Sequence, residues 1–373
     1  PARGARGARA LDGSRPIACA GPLSRFARRK RLADRLAKLA KPVVMAQQNP
    51  SDAGHLLAGR SATQSPVRLL VRETAGWRRV ANGGTTLWFK GSLNSDSPER
   101  LLSRLTARGA GADPEDLLSE ISGLDGHFAF IAEGEGWVLA AVDRIRSIPL
   151  FFAGRSGETV ISVGAPVLRD EIGPLSVDPD QALAFAASGF TFSGRTLYSG
   201  LDELAAGEAL IAGPKGMATR RYHAYRPWQV SHRPDSALKS DLAARTLTVF
   251  EKLVASADDR PIVVPLSGGL DSRLVVAALH HLGHRDVRCF SYGWPRNHEA
   301  AAASEVAERL GYPWIFIPHG MSQQASFFAG ETARRYRTET DSFAALPFPQ
   351  DLYAITQLRE TGWLPADAIV VNG

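Results

Sequence analysis

The chain has 373 residues, 44% of them hydrophobic and 22% charged, which is enough for two domains and too apolar for global disorder. No run approaches the ~20 continuous apolar residues that cross a bilayer, and the only two cysteines, Cys19 and Cys289, exclude a disulfide scaffold and a cysteine-ligated structural zinc site. The formal net charge of +6 does not mark a nucleic-acid binder, because residues 1–42 hold twelve of the 44 basic residues against Asp12 and Asp34, and the rest of the chain is net acidic.

Residues 1–44 read as a basic tail, disordered or foreign to the native protein. Within it, 22–41 carries Leu23, Phe26, Leu32, Leu36 and Leu39 loosely on one side of a short basic helix. Translated upstream sequence, a solvated tail, and a helix for a membrane surface or acidic partner are its three readings. No apolar core follows the charges, so the expectation disfavours a secretory signal. The first methionine is Met45. The cysteine usage fits a reducing, cytoplasmic setting.

Residues 45–215 form the first predicted domain. VRLLV (67–71) and TTLWF (85–89) flank a turn containing Asn82-Gly83-Gly84. Ser97 and Pro98 open a helix over 98–109, and a second covers 114–124. Strands follow at 126–133, 136–143, 149–154 and 159–164, so an antiparallel sheet with helices against it is expected. Further on, 178–190 reads as a helix ending at Gly189, and 201–214 as a short helix and a strand.

Residues 216–234 read as a linker and 235–373 as the second domain. Over 235–257, Leu238, Leu242, Leu247, Phe250, Leu253 and Val254 recur at helical spacing. The apolar run Ile262-Val263-Val264 suits a buried parallel strand. Leu266 and then Ser267-Gly268-Gly269-Leu270-Asp271-Ser272 follow, and a helix runs on to Leu282. The paired glycines let several N–H groups approach a ligand. The helix start points its free N–H groups and positive dipole end at the same place. The result is a cradle for phosphate oxygens. Asp271 beside phosphate needs an intervening cation, and Mg²⁺ suits a carboxylate. The pattern is neither a dinucleotide fingerprint nor a Walker loop.

Two more strands, 287–293 and 314–320, enclose an Ala-rich helix at 298–311, so a doubly wound parallel sheet is expected. Ser291 and Tyr292 end the second strand and are candidates to line an adenosine pocket. Glu299 opens the helix and reads equally well as an amine or metal contact or as ordinary helix-end charge. Cys289, inside a strand, reads as a small buried hydrophobe. Arg334, Arg335 and Arg337 read as a solvated helix face. Asp351 starts a helix and is nominated as a second metal ligand, and 368–373 reads as a strand entering a loop.

The six-residue loop resembles the pyrophosphate-binding loop of the ATP pyrophosphatase superfamily, and residues 66–373 resemble the asparagine synthetase family. In the first domain Asp125, Gly126, Phe128, Phe130, Asp143, Pro149 and Leu150 match that family's class II glutamine amidotransferase pattern, while Val142 and Ser147 depart from it. The resemblance implies an α+β glutaminase-like (Ntn-type) domain followed by an α/β ATP pyrophosphatase domain. It implies ATP and Mg²⁺, with Asp271 and Glu299 catalytic. Residues Leu266 to Ser272, Ser291 and Tyr292 bind the nucleotide, and Asp271 and Asp351 hold metal. It also implies an amide-forming ligase, with aspartate the default carboxylate and ammonia or another amine the acceptor. Alternatives are a beta-lactam-synthetase-like or peptide-cyclase-like ligase, or a degenerate ATP-binding fragment. The glutaminase chemistry does not carry over, since it needs an N-terminal cysteine. Ala46 and Gln47 follow Met45, and Lys90 stands before Gly91 where the family has an asparagine. Only Asn372-Gly373 match the family's next loop, so the expectation is a chain truncated at its C-terminus. Small-molecule partners are expected, with neither nucleic acid nor membrane insertion, and a homodimer is among the admissible assemblies.

Overall fold

The computed structural model describes residues 57–60, 67–71, 76–108, 114–155, 158–213, 216–228 and 230–373. The basic segment 1–44, with Cys19 and the stretch Met45–Gln47, lies outside the described residues. The described residues all fall within one compact unit.

Two sheets make up its amino-terminal part. The first contains β1 (Leu57–Arg60), β2 (Val67–Val71), β7 (Phe151–Arg155), β8 (Glu158–Ser162) and β9 (Asp202–Glu203), in the order β1-β2-β8-β7-β9. The second contains β3 (Arg78–Asn82), β4 (Thr85–Leu93), β5 (Gly126–Gly134), β6 (Trp137–Val142), β10 (Glu208–Gly213) and β11 (Gly216–Arg221), in the order β11-β10-β6-β5-β4-β3. Their packing follows from side-chain alternation along the strands. Trp88, Ala129, Ile131, Val138, Ala140, Val142 and Leu210 point inward against Val67, Leu69, Val71 and Ile161 of the first sheet. The intervening residues Leu87, Phe89, Phe128, Phe130, Leu139 and Ile211 point outward. They are covered by α1 (Pro98–Arg108) and α2 (Pro114–Ser122) through Leu101, Leu102, Leu105, Leu117 and Ile121. Each such buried side chain is worth about 1.5–3 kcal/mol relative to exposure. α3 (Ala165–Ile172) covers the outer face of the first sheet with Ala165 and Leu168. The layers therefore run helices, sheet, sheet, helix.

Local chemistry sets the helix starts. Ser97 Oγ accepts from Arg100 N at 3.2 Å and Pro98 follows it. α4 (Pro179–Ser188) is capped by Asp178, which accepts from the N–H groups of Asp180 and Gln181, and it ends at Gly189 with φ 83°.

Several expectations are corrected here. TTLWF pairs across the Asn82-Gly83 turn with Arg78–Asn82, not with VRLLV, which joins the other sheet parallel to β8. A strand as short and exposed as RRVAN carries little apolar signal. Among the described residues of the expected helix and strand at 201–214 no helix forms; 201–213 supplies β9 and β10. Gly216–Arg221 extends the second sheet beyond position 215.

The carboxy-terminal part is built on a third sheet. α5 (Asp235–Ala257) leads to β12 (Ile262–Pro265), α6 (Leu270–His281), β13 (Val287–Gly293), α7 (His298–Leu310) and β14 (Trp314–Pro318). After these come α8 (Met321–Ala329), α9 (Glu331–Thr340), α10 (Leu352–Glu360) and β15 (Ile369–Val370). The order is β14-β13-β12-β15 and every pairing is parallel. Ile262, Val264, Val287 and Cys289 face α5, α6 and α7. Val263, Phe290 and Ile317 face α10 and Phe327 of α8. Helices thus cover both faces, as the doubly wound reading requires. The amino-terminal half of α5 departs from its expected pattern: Leu238 and Leu242 are 36% and 67% exposed, and Phe250 begins the buried stretch. Among the described residues no helix is long and apolar enough to cross a membrane.

Candidate functional site

The sheet order reverses at β12. The chain leaves β12 toward β13 and β14 on one side, and β15 inserts on the other. In an open parallel sheet the crevice at the carboxyl ends of two such strands is where ligands bind. The loop 266–272 follows β12, and Asn372-Gly373 follow β15, so the structure brings both to this crevice.

The loop is braced from below. Leu266 N donates to Phe290 O at 2.8 Å, and Ser291 Oγ donates to Leu266 O at 2.6 Å. Trp314 Nε1 donates in turn to Ser291 Oγ at 2.9 Å. Ser291 is buried, and its hydroxyl holds the loop's root rather than facing the crevice. Ser267 N donates to Ser272 Oγ at 3.0 Å, the two hydroxyls lie 3.1 Å apart, and Gly269 N donates to Ser267 Oγ at 3.1 Å. Ser267 and Ser272, expected among the nucleotide-binding residues, thereby close the loop on itself.

The next helix starts open. Gly269 caps α6 with no side-chain hydrogen bond, whereas Asn297 caps α7 by accepting from Ala300 N at 2.7 Å. The first-turn N–H groups of α6 therefore lack a side-chain acceptor and favour an anion. Arg273 Nε donates to Gly269 O at 2.9 Å and brings a cation beside the same turn. Leu270 is 76% exposed and Asp271 is exposed beside it. Among the described residues neither Asp271 nor Glu299 makes an ion pair or side-chain hydrogen bond. Glu299 lies against the loop: a Cβ on Gly268 would fall 3.4 Å from Glu299 Cα. Across the crevice, a Cβ on Gly373 would fall 2.2 Å from Ser272 N, so this close approach requires glycine.

Tyr292 and Asp351 meet, which the sequence spacing did not reveal. Tyr292 hydroxyl donates to Asp351 Oδ1, and Asn372 Nδ2 donates to Asp351 Oδ2 at 3.3 Å. Burial, then the Asp351 carboxylate, push the Tyr292 phenol well above its usual range. His319 stacks on Tyr292 at 4.8 Å and meets Tyr353 edge-on at 5.1 Å. Its Nε2 is buried without a partner among the described residues, and burial lowers its pKa. His319 was missed because a lone histidine after a strand has no distinctive spacing. Cys289 is fully buried, and burial pushes its thiol up to about 12.

The residues fit a phosphate-bound Mg²⁺ rather than a metal caged by protein alone. Among the described residues no three His, Cys, Asp or Glu side chains gather to hold a metal. Asp271, exposed and unpaired, matches the single-carboxylate mode in which phosphates and water complete the shell. A separate cleft of about 590 Å³ lies away from the loop, between Ile315, Ile317 and Pro318 on one side and Tyr353, Gln357 and Trp363 on the other.

In the amino-terminal part, Asp143 is buried and accepts from Phe128 N at 3.1 Å, Ile145 N at 2.9 Å, Ser147 N at 3.1 Å and the Ser147 hydroxyl. Ser147 thus adds a donor that glycine would lack. Gly91 has φ 105°, and a Cβ on it would fall 1.8 Å from His127 O, so the strand bends there only with glycine. Lys90 alternates with Phe89 onto the inner face; burial lowers its pKa, and no acid pairs with it among the described residues.

The asparagine synthase family profile matches residues 248–323, about one fifth of the chain. No curated protein matches. Among solved structures, a glutamine phosphoribosylpyrophosphate amidotransferase from B. subtilis complexed with ADP and GMP is 17% identical, with a TM-score of 0.25 over 67% of this chain and 52% of that one. An NH3-dependent NAD synthetase from Campylobacter jejuni is 15% identical, with a TM-score of 0.25 over 35% of this chain and 54% of its own. An allosteric regulatory enzyme of purine biosynthesis is 16% identical, with a TM-score of 0.23 over 69% of this chain and 52% of its own. The chain spans about half the length of each.

Proposed function

We propose that the chain is an ATP-dependent, amide-forming ligase of the asparagine synthase type. The observation that carries this reading is the uncapped start of α6 behind Ser267–Ser272, at the point where the parallel sheet reverses order. In the reaction, a substrate carboxylate oxygen attacks the α-phosphorus of ATP. The bond from that phosphorus to the bridging α–β oxygen breaks, and pyrophosphate leaves. Ammonia or another amine then attacks the acyl carbon, AMP leaves, and the surplus proton passes to solvent. The N–H groups of the loop and of the first turn of α6 bind the departing pyrophosphate oxygens, and fixed dipoles aimed at developing charge favour that step. Asp271 would hold a Mg²⁺ ion, which would supply charge neutralisation for the departing group. Tyr292 borders the adenosine side, and Glu299, unpaired beside Gly268, faces the incoming amine.

The amino-terminal layers are a glutaminase-like (Ntn-type) domain without glutaminase activity. Lys90, a poor substitute for a neutral amide donor, supports that reading, and free ammonia or another amine is then the nitrogen source. Aspartate is the default carboxylate; a beta-lactam-forming or peptide-cyclising relative would use the same activation step on another acid.

Pyrophosphate release measured with ATP, Mg²⁺, aspartate and ammonia tests the proposal. We expect release that depends on the carboxylate. No release from the full-length protein across a panel of amino-acid and peptide carboxylates defeats the ligase reading. Nucleotide binding without release makes the protein an ATP-binding module.

A further inference from the structure

The segment between α9 and α10 links the two parts of the molecule, with one end seated in each. At one end, residues 343–345 enter the amino-terminal part. Thr191 N donates to Ala344 O and Leu197 N to Phe343 O, both at 2.8 Å, and Phe190 bridges Ala345. The Phe343 ring is 6% exposed and packs with Leu70, Phe151 and Leu168. Tyr198 meets it edge-on at 5.1 Å, and the Arg169 guanidinium lies over it at 5.3 Å. Phe343 has φ 55°, a left-handed backbone that a bulky residue adopts only when its surroundings enforce it. Asp341 Oδ1 accepts from Phe343 N at 2.9 Å and holds that turn.

At the other end stands Asp351. Its two carboxylate oxygens accept from Tyr292, at the end of β13, and from Asn372, just past β15. Those strands flank β12, so Asp351 reaches across the end of the strand that carries the loop. The intervening residues are held as well: Tyr336 hydroxyl donates to Phe348 O at 2.7 Å.

We propose that residues 341–351 form a positioning strap, anchored in the amino-terminal sandwich by Phe343, through which Asp351 sets the spacing of Tyr292 and Asn372 across the nucleotide crevice. Asp351 is then a positioning residue. A sandwich without glutaminase chemistry keeps a role, because it holds one end of the strap. The inference rests on the ligase reading only for its kinetic consequence; the mechanical link stands on the contacts themselves.

The test is hydrogen exchange across 369–372 and 266–273 in the full-length protein without nucleotide, alongside titration with ATP and Mg²⁺. Phe343→Ala should speed exchange across 369–372 about ten-fold and raise the KM for ATP while kcat changes less. Tyr292→Phe, which removes only the hydroxyl, should speed the same exchange. Because both act through Asp351, the double variant Phe343→Ala with Tyr292→Phe should be no faster than the faster single one. Unchanged exchange in both single variants overturns the strap, as does a double variant equal to the product of the two. If Asp351→Asn raises only the Mg²⁺ requirement and leaves exchange unchanged, Asp351 is a metal ligand and the positioning role fails. Exchange needs no turnover, so failure of the ligase reading leaves this test intact.

Discussion

The two parts of the molecule treat their polar groups in opposite ways. In the amino-terminal sandwich the turn after β6 is saturated: Asp143 is buried and accepts from three backbone N–H groups and a hydroxyl. At the carboxyl edge of the parallel sheet the helix start is uncapped, and Asp271 and Glu299 have no partner among the described residues. Saturated groups stabilise a fold, and groups left open at a crevice await a ligand. Asp143 therefore belongs to the architecture of the sandwich, and in the parallel-sheet loop only Asp271, Glu299 and the helix start are left open, the loop serines being bonded to one another.

The contrast breaks most sharply at Asp271. Asp271→Ala removes an exposed carboxylate with no structural bonds, so thermal stability should stay within about 0.5 kcal/mol of wild type. Mg²⁺-dependent ATP cleavage should fall at least about 100-fold. Asp143→Ala should do the reverse. It strands buried N–H groups and should cost about 3 kcal/mol, read as a Tm lower by roughly 5–10 °C, while nucleotide affinity in the folded protein stays the same. A loss of affinity there would mean that the two parts are less separable than their bonding suggests.

A smaller effect concerns pH. Burial holds the His319 pKa below its unfolded value of about 6.5. The unfolded chain therefore binds the proton more readily. Stability should be fully present above about pH 6.5 and fall as the pH drops from there through the lower folded value. His319→Phe should flatten that slope in a Tm-versus-pH series. The smallest effect is expected at Lys252, which donates to Asp125 at 2.6 Å and joins α5 to the residue before β5. That bond holds the Asp125 carboxyl below its usual range. Its contribution is present above about pH 3.9 and lost as the pH falls below. Both side chains are nearly half exposed. Lys252→Met should therefore cost under about 1 kcal/mol and matter less at high salt.

How much was legible in the sequence follows the same division. Strands with both faces buried, such as Trp137–Val142 and Val287–Gly293, stood out as apolar runs within a residue or so of their ends. The loop at 267–272 stood out because six side-chain types recur together at a strand–helix junction. Pairing was less legible. VRLLV and TTLWF sit on either side of a turn signal, yet the weakly apolar Arg78–Asn82 takes the hairpin position. The expected helix within 201–214 failed because Leu201 and Leu204 are buried from an extended segment, where tertiary packing overrides propensity. The tie of Tyr292 and Asn372 to Asp351 joins residues far apart in the chain, and no local spacing encodes it. The serine hydroxyls show a related gap: their presence was readable, but not that they would bond each other.

Cys289 offers a built-in clock. Its sulfur sits at the centre of the parallel sheet, fully buried, with the thiol held protonated by its surroundings. A thiol reagent can modify it only when that sheet opens. The alkylation rate at this position, followed by peptide mass mapping, therefore times the breathing of one layer of the molecule without contribution from the sandwich, whose described residues contain no cysteine.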